Sequence, residues 1–465
     1  MAAFTQAQAP SAIVTEIPGR FAPPSIVDRR NMATVTADTA TSSRNAFLPR
    51  AESLTLDFQT PTQVVEELGT NYNVGEYDQL PESKVSLTNY DVGTGVISLI
   101  TGKAVLVTGT TTFTPNDLGT AKVDLVTAYA DPNGKLFYSE YNGDLVIDEY
   151  SSTLKNKSAA MEAYSLTGFN QLGFRGFFIT KCYIVQAADV TASGFSIATL
   201  LGANEAPVPV PIPTAGQPPN YWVQNGAINF VKIERWRSTT GWFRFKETSG
   251  TVATGVCKYV AGTGFTFAAG DLIAGDVFYL TYATYGSSVA NGQIIPTLSL
   301  DTSDPIAVDT RLCAITIAAG AVARGQSFDM KVALKRTRAE GIGDLDGLYG
   351  PPQMPEVTLN LDVNFTGAGP DTLLRTGSLY GTDGGGTVTG DFVDANYETR
   401  LMLNTPTAVA VTVGDPRNAG AILKTVTSSN AVFKQRTLTN QSKNAVTMKY
   451  TGSDQIGNVS VSVTH

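Results

Sequence analysis

The sequence predicts an all-β protein with one or two short helices. Three observations lead to this prediction. Apolar and polar residues alternate in short runs, as at Leu54, Leu56 and Phe58, which is the pattern of a half-buried strand. Glycine, proline and aspartate turn signals separate many such runs. A pattern of about fifty residues also recurs 274 positions later, which indicates two related β units in one chain.

Composition and charge exclude several classes of protein. The chain has 465 residues, enough for two to four ordinary domains, and 16% of them are charged, against about 25% in a typical soluble domain. The net charge is −8 and no stripe of Lys and Arg is present, so the sequence does not favour nucleic-acid binding. No apolar run reaches transmembrane length, and residues 1–20 lack the organisation of a secretory signal.

The residues that most often carry catalysis or bind metals are scarce. The one histidine is His465, the last residue, where a positioned base or metal ligand is not expected. Cys182, Cys257 and Cys313 lie far apart and predict neither a disulfide framework nor a metal site. The glycine-rich residues 381–390 lack the Gly-Lys-Ser/Thr of a phosphate-binding loop. We therefore predict no enzymatic activity, no cofactor and no bound metal.

The first half of the chain begins with an extended arm, residues 1–47, which is rich in Pro, Ala and Thr. Such a segment cannot bury enough apolar surface alone, so we expect it to order against a neighbouring subunit or ring. We expect its deletion to block polymerisation while leaving the core folded. A strand follows from residue 51. Residues 60–69 predict a short helical turn, with Thr60 as its cap and Gly69 at its end.

More strands and one more helix are predicted before residue 200. The helix is predicted at residues 158–164. The strands are predicted at residues 84–90, 94–100, 103–108, 122–129, 144–149 and 176–187.

A proline-rich spacer leads into a third β region. Alternating prolines at residues 206–220 force an extended backbone and mark a boundary. Short strand patterns at residues 226–320 predict a small β-sandwich. Trp222, Trp236 and Trp242 fall in or beside this region, where they serve either core and interface packing or stacking on a sugar.

The internal repeat organises the whole chain. Ten identities fall within fifty aligned positions, against about three by chance. The matched turn and strand-start residues are our candidates for backbone positions that matter in assembly, namely Glu66, Gly69, Pro81 and Glu82 in the first copy and Glu340, Gly343, Pro355 and Glu356 in the second. The predicted domains are an arm (1–47), a first unit (48–205), a Pro-rich spacer (206–225), an inserted β domain (226–320) and a second unit (321–465).

Parts of both units resemble the tail tube proteins of long-tailed bacteriophages and related tailed viruses. The resemblance is carried by residues 53–58, 65–69 and 80–87 in the first unit and by residues 326–359 in the second. It implies two tube-type β-sandwich or barrel units plus an inserted small β-sandwich. In that family, sheets of neighbouring subunits join into a barrel around a channel, rings stack into a tube, and viral DNA passes through without specific binding.

The resemblance also implies partners and a location. The chain would bind copies of itself in a ring, with a trimer of pseudo-six-fold symmetry favoured and a hexamer open, and would contact tape measure, sheath or terminator proteins. It would be made in the host cytoplasm and reside in the virion tail, without a membrane anchor. We expect residues 226–320 to decorate the outside. Two alternatives stay open: another virion component, such as a baseplate, hub or decoration protein, or a cell-surface adhesin or carbohydrate-binding protein.

Overall fold

The fold is described from a computed structural model of the chain. The residues that the structure describes are 20–21, 25–30, 44–48, 50–59, 62–66, 73–78, 82–90, 92–104, 109–130, 136–174, 176–191, 194–195, 207–208, 229–261, 264–284, 299–300, 307–317, 320–322, 325–339, 348–350, 353–364, 406–418, 420–439, 446–454, 457 and 459–464.

Strands make up most of the described chain. In the first half they are β1 (Arg20–Phe21), β2 (Ser25–Val27), β3 (Asn45–Phe47), β4 (Ala51–Gln59), β5 (Thr62–Glu66), β6 (Asn73–Asp78), β7 (Glu82–Asn89), β8 (Thr110–Phe113), β9 (Lys122–Ala130), β10 (Leu136–Lys155), β11 (Met161–Gly168), β12 (Asn170–Phe174), β13 (Phe177–Ile184), β14 (Val190–Thr191) and β15 (Gly194–Phe195). The described helices are α1 (Thr94–Thr101), α2 (Pro115–Thr120) and a 3-10 turn at Thr310–Leu312.

The second half continues the same architecture. Its strands are β16 (Lys232–Arg237), β17 (Gly241–Arg244), β18 (Lys246–Glu247), β19 (Val256–Val260), β20 (Gly264–Thr266), β21 (Val277–Thr284), β22 (Ser299–Leu300), β23 (Cys313–Ile317), β24 (Gly320–Ala321), β25 (Gly325–Ala333), β26 (Arg338–Ala339), β27 (Leu348–Tyr349), β28 (Glu356–Asn364), β29 (Thr407–Gly414), β30 (Ile422–Thr439), β31 (Thr447–Asp454) and β32 (Val459–Thr464). The prediction of an all-β fold is confirmed.

The described residues of both helices predicted from the sequence contain a strand and no helix. Within residues 60–69, β5 pairs with β6 in an antiparallel hairpin. Within residues 158–164, β11 begins and lies between β7 and β10. In β11 the buried positions alternate, with Glu162 and Tyr164 facing inward. Because pairing on both sides satisfies the backbone of β11, tertiary context overrides its weak local helix preference.

The real helices lie elsewhere. The predicted strand at residues 94–100 is helix α1, which ends at Gly102 with a left-handed φ of 69°. Nearly all of its apolar side chains are buried, so periodicity could not distinguish it from a buried strand. Helix α2 begins with a capping box, in which Thr114 and Asp117 each accept from the other's backbone N–H.

The main sheet contains a run of eight antiparallel strands in the order β4–β7–β11–β10–β25–β28–β31–β30. Two long strands let this sheet branch. The first half of β10 pairs with β9 and β12, and its second half with β11 and β25. The first half of β30 likewise pairs with β29 and β32. The pairings among the described strands form an open, branched sheet and close no ring.

The strand pairing confirms the repeat at an offset of 274 residues. In the β4–β7 ladder Leu54 lies opposite Leu87, and in the β25–β28 ladder Phe328 lies opposite Leu361. Both ladders also carry a bulge at the same place, after Ala51 in the first unit and 274 positions later in the second. A bulge at an equivalent position means that the two units share register as well as strand order.

The repeat extends further than the sequence alignment did. Tyr164 of β11 lies opposite Tyr150 of β10, and Tyr450 of β31 lies opposite Arg436 of β30. The offset here is 286 residues, the separation of Tyr164 and Tyr450, so one unit has gained residues between its strands. Again both ladders carry a bulge at the same place, after Ile147 and 286 positions later.

The two units share one hydrophobic core. A single apolar cluster contains inward-facing residues of β7, β11, β25, β28, β30 and β31, among them Leu87, Tyr164, Met330, Leu361 and Tyr450. Because this cluster is continuous across both units, the units are packed as one body within the described chain.

The small sheet does not arise from residues 226–320 alone. Its order is β13–β21–β16–β17, and β13 comes from within residues 48–205. Conversely β23, which lies within residues 226–320, pairs with β29 of the main sheet. A second apolar cluster, rich in phenylalanine, lies between the small sheet and the first half of β10.

The described part of the arm orders on its own subunit. Strands β1 and β2 pair with β9, and β2 pairs with β3. Ile26 and Val27 are buried in the apolar clusters of the same chain. The expectation that this part orders against a neighbouring subunit is therefore wrong, whereas the effect of deleting residues 1–47 stays a prediction. The remaining arm residues lie outside the described residues.

Candidate assembly interface

The junction between the two units is a β-ladder. Strand β10 of the first unit pairs with β25 of the second over seven residue pairs, from Glu149 opposite Ala333 to Lys155 opposite Ser327. On the core face of this ladder, Ser152 lies opposite the buried Met330. The junction thus joins the sheets of the two units edge to edge. Pairing β10 with β25 satisfies the backbone hydrogen bonds of both edge strands and buries the apolar side chains at the edge.

The outer face of the junction is polar and paired. The Thr153 hydroxyl donates to the Asp329 carboxylate, at 2.7 Å. The Lys331 ammonium lies 2.5 Å from the Glu149 carboxylate. Cross-strand pairs of this kind fix the register of a ladder and add a modest stabilisation of about 0.2–1 kcal/mol each.

A buried ion pair ties the units together beneath the junction. Glu162 of β11 and Lys424 of β30 are each 1% exposed and form a direct ion pair. Glu162 also accepts hydrogen bonds from the hydroxyls of Tyr150, at 2.8 Å, and Tyr164, at 2.9 Å. Burial and the Glu162 carboxylate raise the pKa of Tyr150 well above its usual value, so its hydroxyl remains a donor.

A second buried network fixes the small sheet to the main sheet. The Lys232 ammonium of β16 lies 2.9 Å from Asp124 of β9 and 2.8 Å from Asp144 of β10. Glu234 of β16 contacts Arg29 of the arm at 3.1 Å. The Arg29 guanidinium also lies 2.5 Å from Asp124.

This network balances three cations against three carboxylates, since Arg244 of β17 completes it by contacting both Asp144 and Glu234. Burial by itself would raise the pKa of Asp124, but Lys232 and Arg29 outweigh it and lower the pKa to about 2. The pKa of Glu234 is lowered for the same reason. The small sheet is therefore held to the main sheet by carboxylates whose pKa values are lowered by the neighbouring cations although the groups are largely buried.

The structure places four of the eight candidate residues named from the sequence. Glu82 and Glu356 are the first residues of β7 and β28, so they occupy equivalent positions in the two units. Pro355 directly precedes β28, and Glu66 is the last residue of β5. The other four candidates, Gly69, Pro81, Glu340 and Gly343, lie outside the described residues.

Pro355 packs against Gly457 and leaves no room there for a side chain. Gly457 has a left-handed φ of 62°, and a Cβ there would lie 2.5 Å from Cγ of Pro355. We expect Gly457→Ala to lower the free energy of unfolding by about 2–4 kcal/mol, from backbone strain plus overpacking. Chemical denaturation measures this.

Gly420→Ala is the matched control for that substitution. Gly420 also has a left-handed φ, of 87°, but no atom lies within 4 Å of its would-be Cβ. We expect it to cost only the conformational part, about 1–2 kcal/mol. Equal losses in the two variants would contradict a steric role for Pro355.

The eight-stranded run ends at β4 and at the second half of β30, and each of these two edges has one partner among the described strands. Strand β4 pairs with β7, and the second half of β30 pairs with β31. Both carry exposed apolar side chains, with Phe58 48% and Leu438 56% exposed. Long edge strands with exposed apolar residues are sites at which another strand adds.

The two edges of the eight-stranded run offer sites for strand addition. Within the ranges given above, no group of three or more His, Cys, Asp or Glu side chains is placed to hold a metal ion. His465 lies outside those ranges. A membrane-spanning helix is likewise not found in the described part of the chain.

No protein-family model matches the sequence, and no curated protein matches it. Solved structures do match over about a third of the chain. One is a chain of the sheath–tube complex of an extracellular contractile injection system in its extended state, at 9% identity and a TM-score of 0.23, covering 33% of this chain and 90% of that one.

Two further structures belong to the anti-feeding prophage. A chain of its tube-terminating cap is 12% identical, with a TM-score of 0.24 and coverage of 36% of this chain and 96% of that one. A chain of its baseplate is 13% identical, with a TM-score of 0.21 and coverage of 32% and 89%. The structural neighbours are thus tube-complex, cap and baseplate chains of phage-like particles, at overall similarity too low to transfer a role.

The residues that hold the units and sheets together were missed by sequence analysis. Lys424 sits in the apolar run Ile422-Leu423-Lys424-Thr425-Val426, and Glu162 lies at an inward position of β11. A lone charge at a core-facing strand position is a signal for a buried ion pair. Its partner, 262 positions away, could not be identified without the fold.

Proposed function

We propose that this chain is the structural subunit of a phage-like tail tube, in which copies join edge to edge into rings, rings stack, and viral DNA passes along the channel. The junction between β10 and β25 carries the proposal. It joins the sheets of two equivalent units into one, and the joined sheet ends at β4 and β30, the equivalents of β25 and β10. One chain therefore contains a single copy of the contact that a ring would repeat.

Three chains complete such a ring in the arrangement we favour. Each chain supplies two units with the same strand order and the same bulges, so three chains supply six equivalent units. An open sheet of eight strands has two exposed edges, whereas a closed ring has none. A ring of six chains, with one unit of each facing the channel, is the competing arrangement.

Charge and location fit a conduit that does not bind its cargo. A net charge of −8 repels the DNA backbone on average, so DNA would pass without specific contacts. We place the protein in the virion tail, in contact with tape measure, sheath or terminator proteins, with no enzymatic activity, metal or cofactor. Residues 226–320 would lie mainly outside the channel, and the matched glycines and prolines would set the turns at the ends of paired strands.

Electron microscopy of the purified full chain tests the proposal. We expect hollow rings or tubes at micromolar concentrations, and three-fold symmetry with pseudo-six-fold density in a reconstruction. Six chains per ring would overturn the trimer and leave the tube intact. A protein that stays monomeric up to high concentration, or forms only solid aggregates, would overturn the tube itself.

A further inference from the structure

We propose that neighbouring copies of this chain pair strand β4 of one copy with residues 435–439 of β30 in the next, antiparallel, with Leu56 opposite Leu438. The partner is a second copy of the chain. The inference rests on the proposed function only in requiring that copies associate. Beyond the proposed function, the inference states which two strand edges meet and in which register they pair.

The register follows from the internal repeat. At the junction within the chain, Ser152 of β10 lies opposite Met330 of β25. The equivalent of Ser152 is Leu438, because Ser152 lies opposite Glu162 and Leu438 lies opposite Met448, each 286 positions later. The equivalent of Met330 is residue 56, at the offset of 274.

The remaining pairs follow by the same antiparallel step. They are Thr439 with Thr55, Thr437 with Asp57, Arg436 with Phe58, and Gln435 with Gln59. All lie within the described parts of β30 and β4.

The faces of the two strands agree with this register. Leu438 lies opposite the buried Met448, so its side chain is on the core face. Leu54 and Leu56 are half-buried against the core cluster, so they are on the core face too. Because side chains alternate along a strand, a slip of one residue would set Leu438 opposite a polar outer-face residue. The proposed register instead buries Leu438 beside Leu56, with Phe58 one diagonal step away.

Charge favours the contact between unlike edges. Strand β4 contains Glu52 and Asp57 and no basic residue, whereas residues 431–439 contain Lys434 and Arg436 and no acidic residue. The two strands therefore carry net charges of −2 and +2, so unlike edges attract each other and like edges repel each other. This attraction acts between the strands as a whole, because the proposed register sets no acidic residue directly opposite a basic one. A contact between two different edges is heterologous, and this is the kind of contact that builds rings or filaments.

Disulfide trapping in the assembled full-length protein tests the register. Thr55→Cys with Thr439→Cys places two thiols directly opposite, and Leu56→Cys with Leu438→Cys covers the alternate hydrogen-bonding position of the ladder. Under mild oxidation we expect at least one of these double variants to form covalent multimers on a denaturing gel, at ten times or more the yield of the wild-type chain. The wild-type chain reports the background from its native cysteines, of which Cys182 and Cys257 are buried.

The control is a mismatched pair on the same strands, Thr55→Cys with Thr437→Cys, which lies two residues out of register. We expect it to trap several-fold less. Rings or tubes that form normally but cross-link in the mismatched pair, or in neither matched pair, would overturn this register and leave the tube standing. Matched cross-links in chains that never close into rings would support the register and overturn the tube.

Discussion

Replacing Lys424 by methionine is expected to lower the free energy of unfolding by about 3–5 kcal/mol, among the largest effects of any single substitution in the described chain. Lys424 and Glu162 are both 1% exposed, so water does not replace the lost partner. In the variant the Glu162 carboxylate would still accept hydrogen bonds from the Tyr150 and Tyr164 hydroxyls. It would no longer have a cation beside it in the core that the two units share. Urea denaturation at neutral pH measures the loss.

Two further variants separate this ion pair from a general effect of losing a lysine. Lys449→Met changes an exposed lysine on β31, and we expect a change within about 0.5 kcal/mol. Glu162→Gln combined with Lys424→Met removes both charges, and we expect it to be clearly more stable than Lys424→Met alone. A double variant no more stable than the single one would contradict the role of the ion pair.

Strand alternation and the repeat could be predicted from the sequence because both are local patterns. Leu54 and Leu56 alternate with polar residues on β4, and the same alternation recurs on β25 and β28. Strands with one core face impose a period of two on their residues, and this leaves a visible trace. The offset of 274 residues likewise aligns the β4–β7 ladder with the β25–β28 ladder, residue pair for residue pair.

The helices were mispredicted for the opposite reason. In α1 the residues Val96, Ile97, Leu99 and Ile100 are all buried, so no polar face marks the helical period. In β11 the period of two is visible only once β7 and β10 flank it. Short segments buried on all sides carry little information about their own conformation.

The contacts that hold sheets and units together depend on distant residues. Arg29 of the arm meets Glu234, 205 positions away. Lys232 meets Asp124 at a separation of 108 positions. The described part of the arm therefore belongs to the folded subunit, although the composition of the arm predicted a segment that needs another chain. Composition reports average apolar content, whereas a few anchored residues decide whether a segment orders.

Lys232→Met is expected to destabilise the protein by about 3–5 kcal/mol at pH 7 and to loosen the small sheet from the main sheet. The Lys232 side chain is 2% exposed, and its ammonium neutralises part of the charge on Asp124, Asp144 and Glu234. Without it, two guanidinium groups would face three carboxylates, of which Asp124 and Glu234 are buried. Thermal unfolding followed by tryptophan fluorescence measures this, since Trp236 lies on β16.

The pH dependence of that loss distinguishes a charge effect from lost packing. In the wild-type protein Asp124 has a pKa of about 2, below its ordinary value, so its stabilising contribution is present above about pH 4 and is lost as the pH falls toward 2. In Lys232→Met the carboxyls lose an attracting cation, so their pKa values rise and protonation relieves the unpaired charge at a higher pH. The difference in the free energy of unfolding between wild type and variant should therefore shrink from pH 7 to pH 4.

The control is Lys246→Met, at an exposed lysine of β18, which should show no such trend. A difference that stays constant with pH would mean that Lys232 acts through the packing of its aliphatic chain, and that the small sheet is held by its apolar cluster.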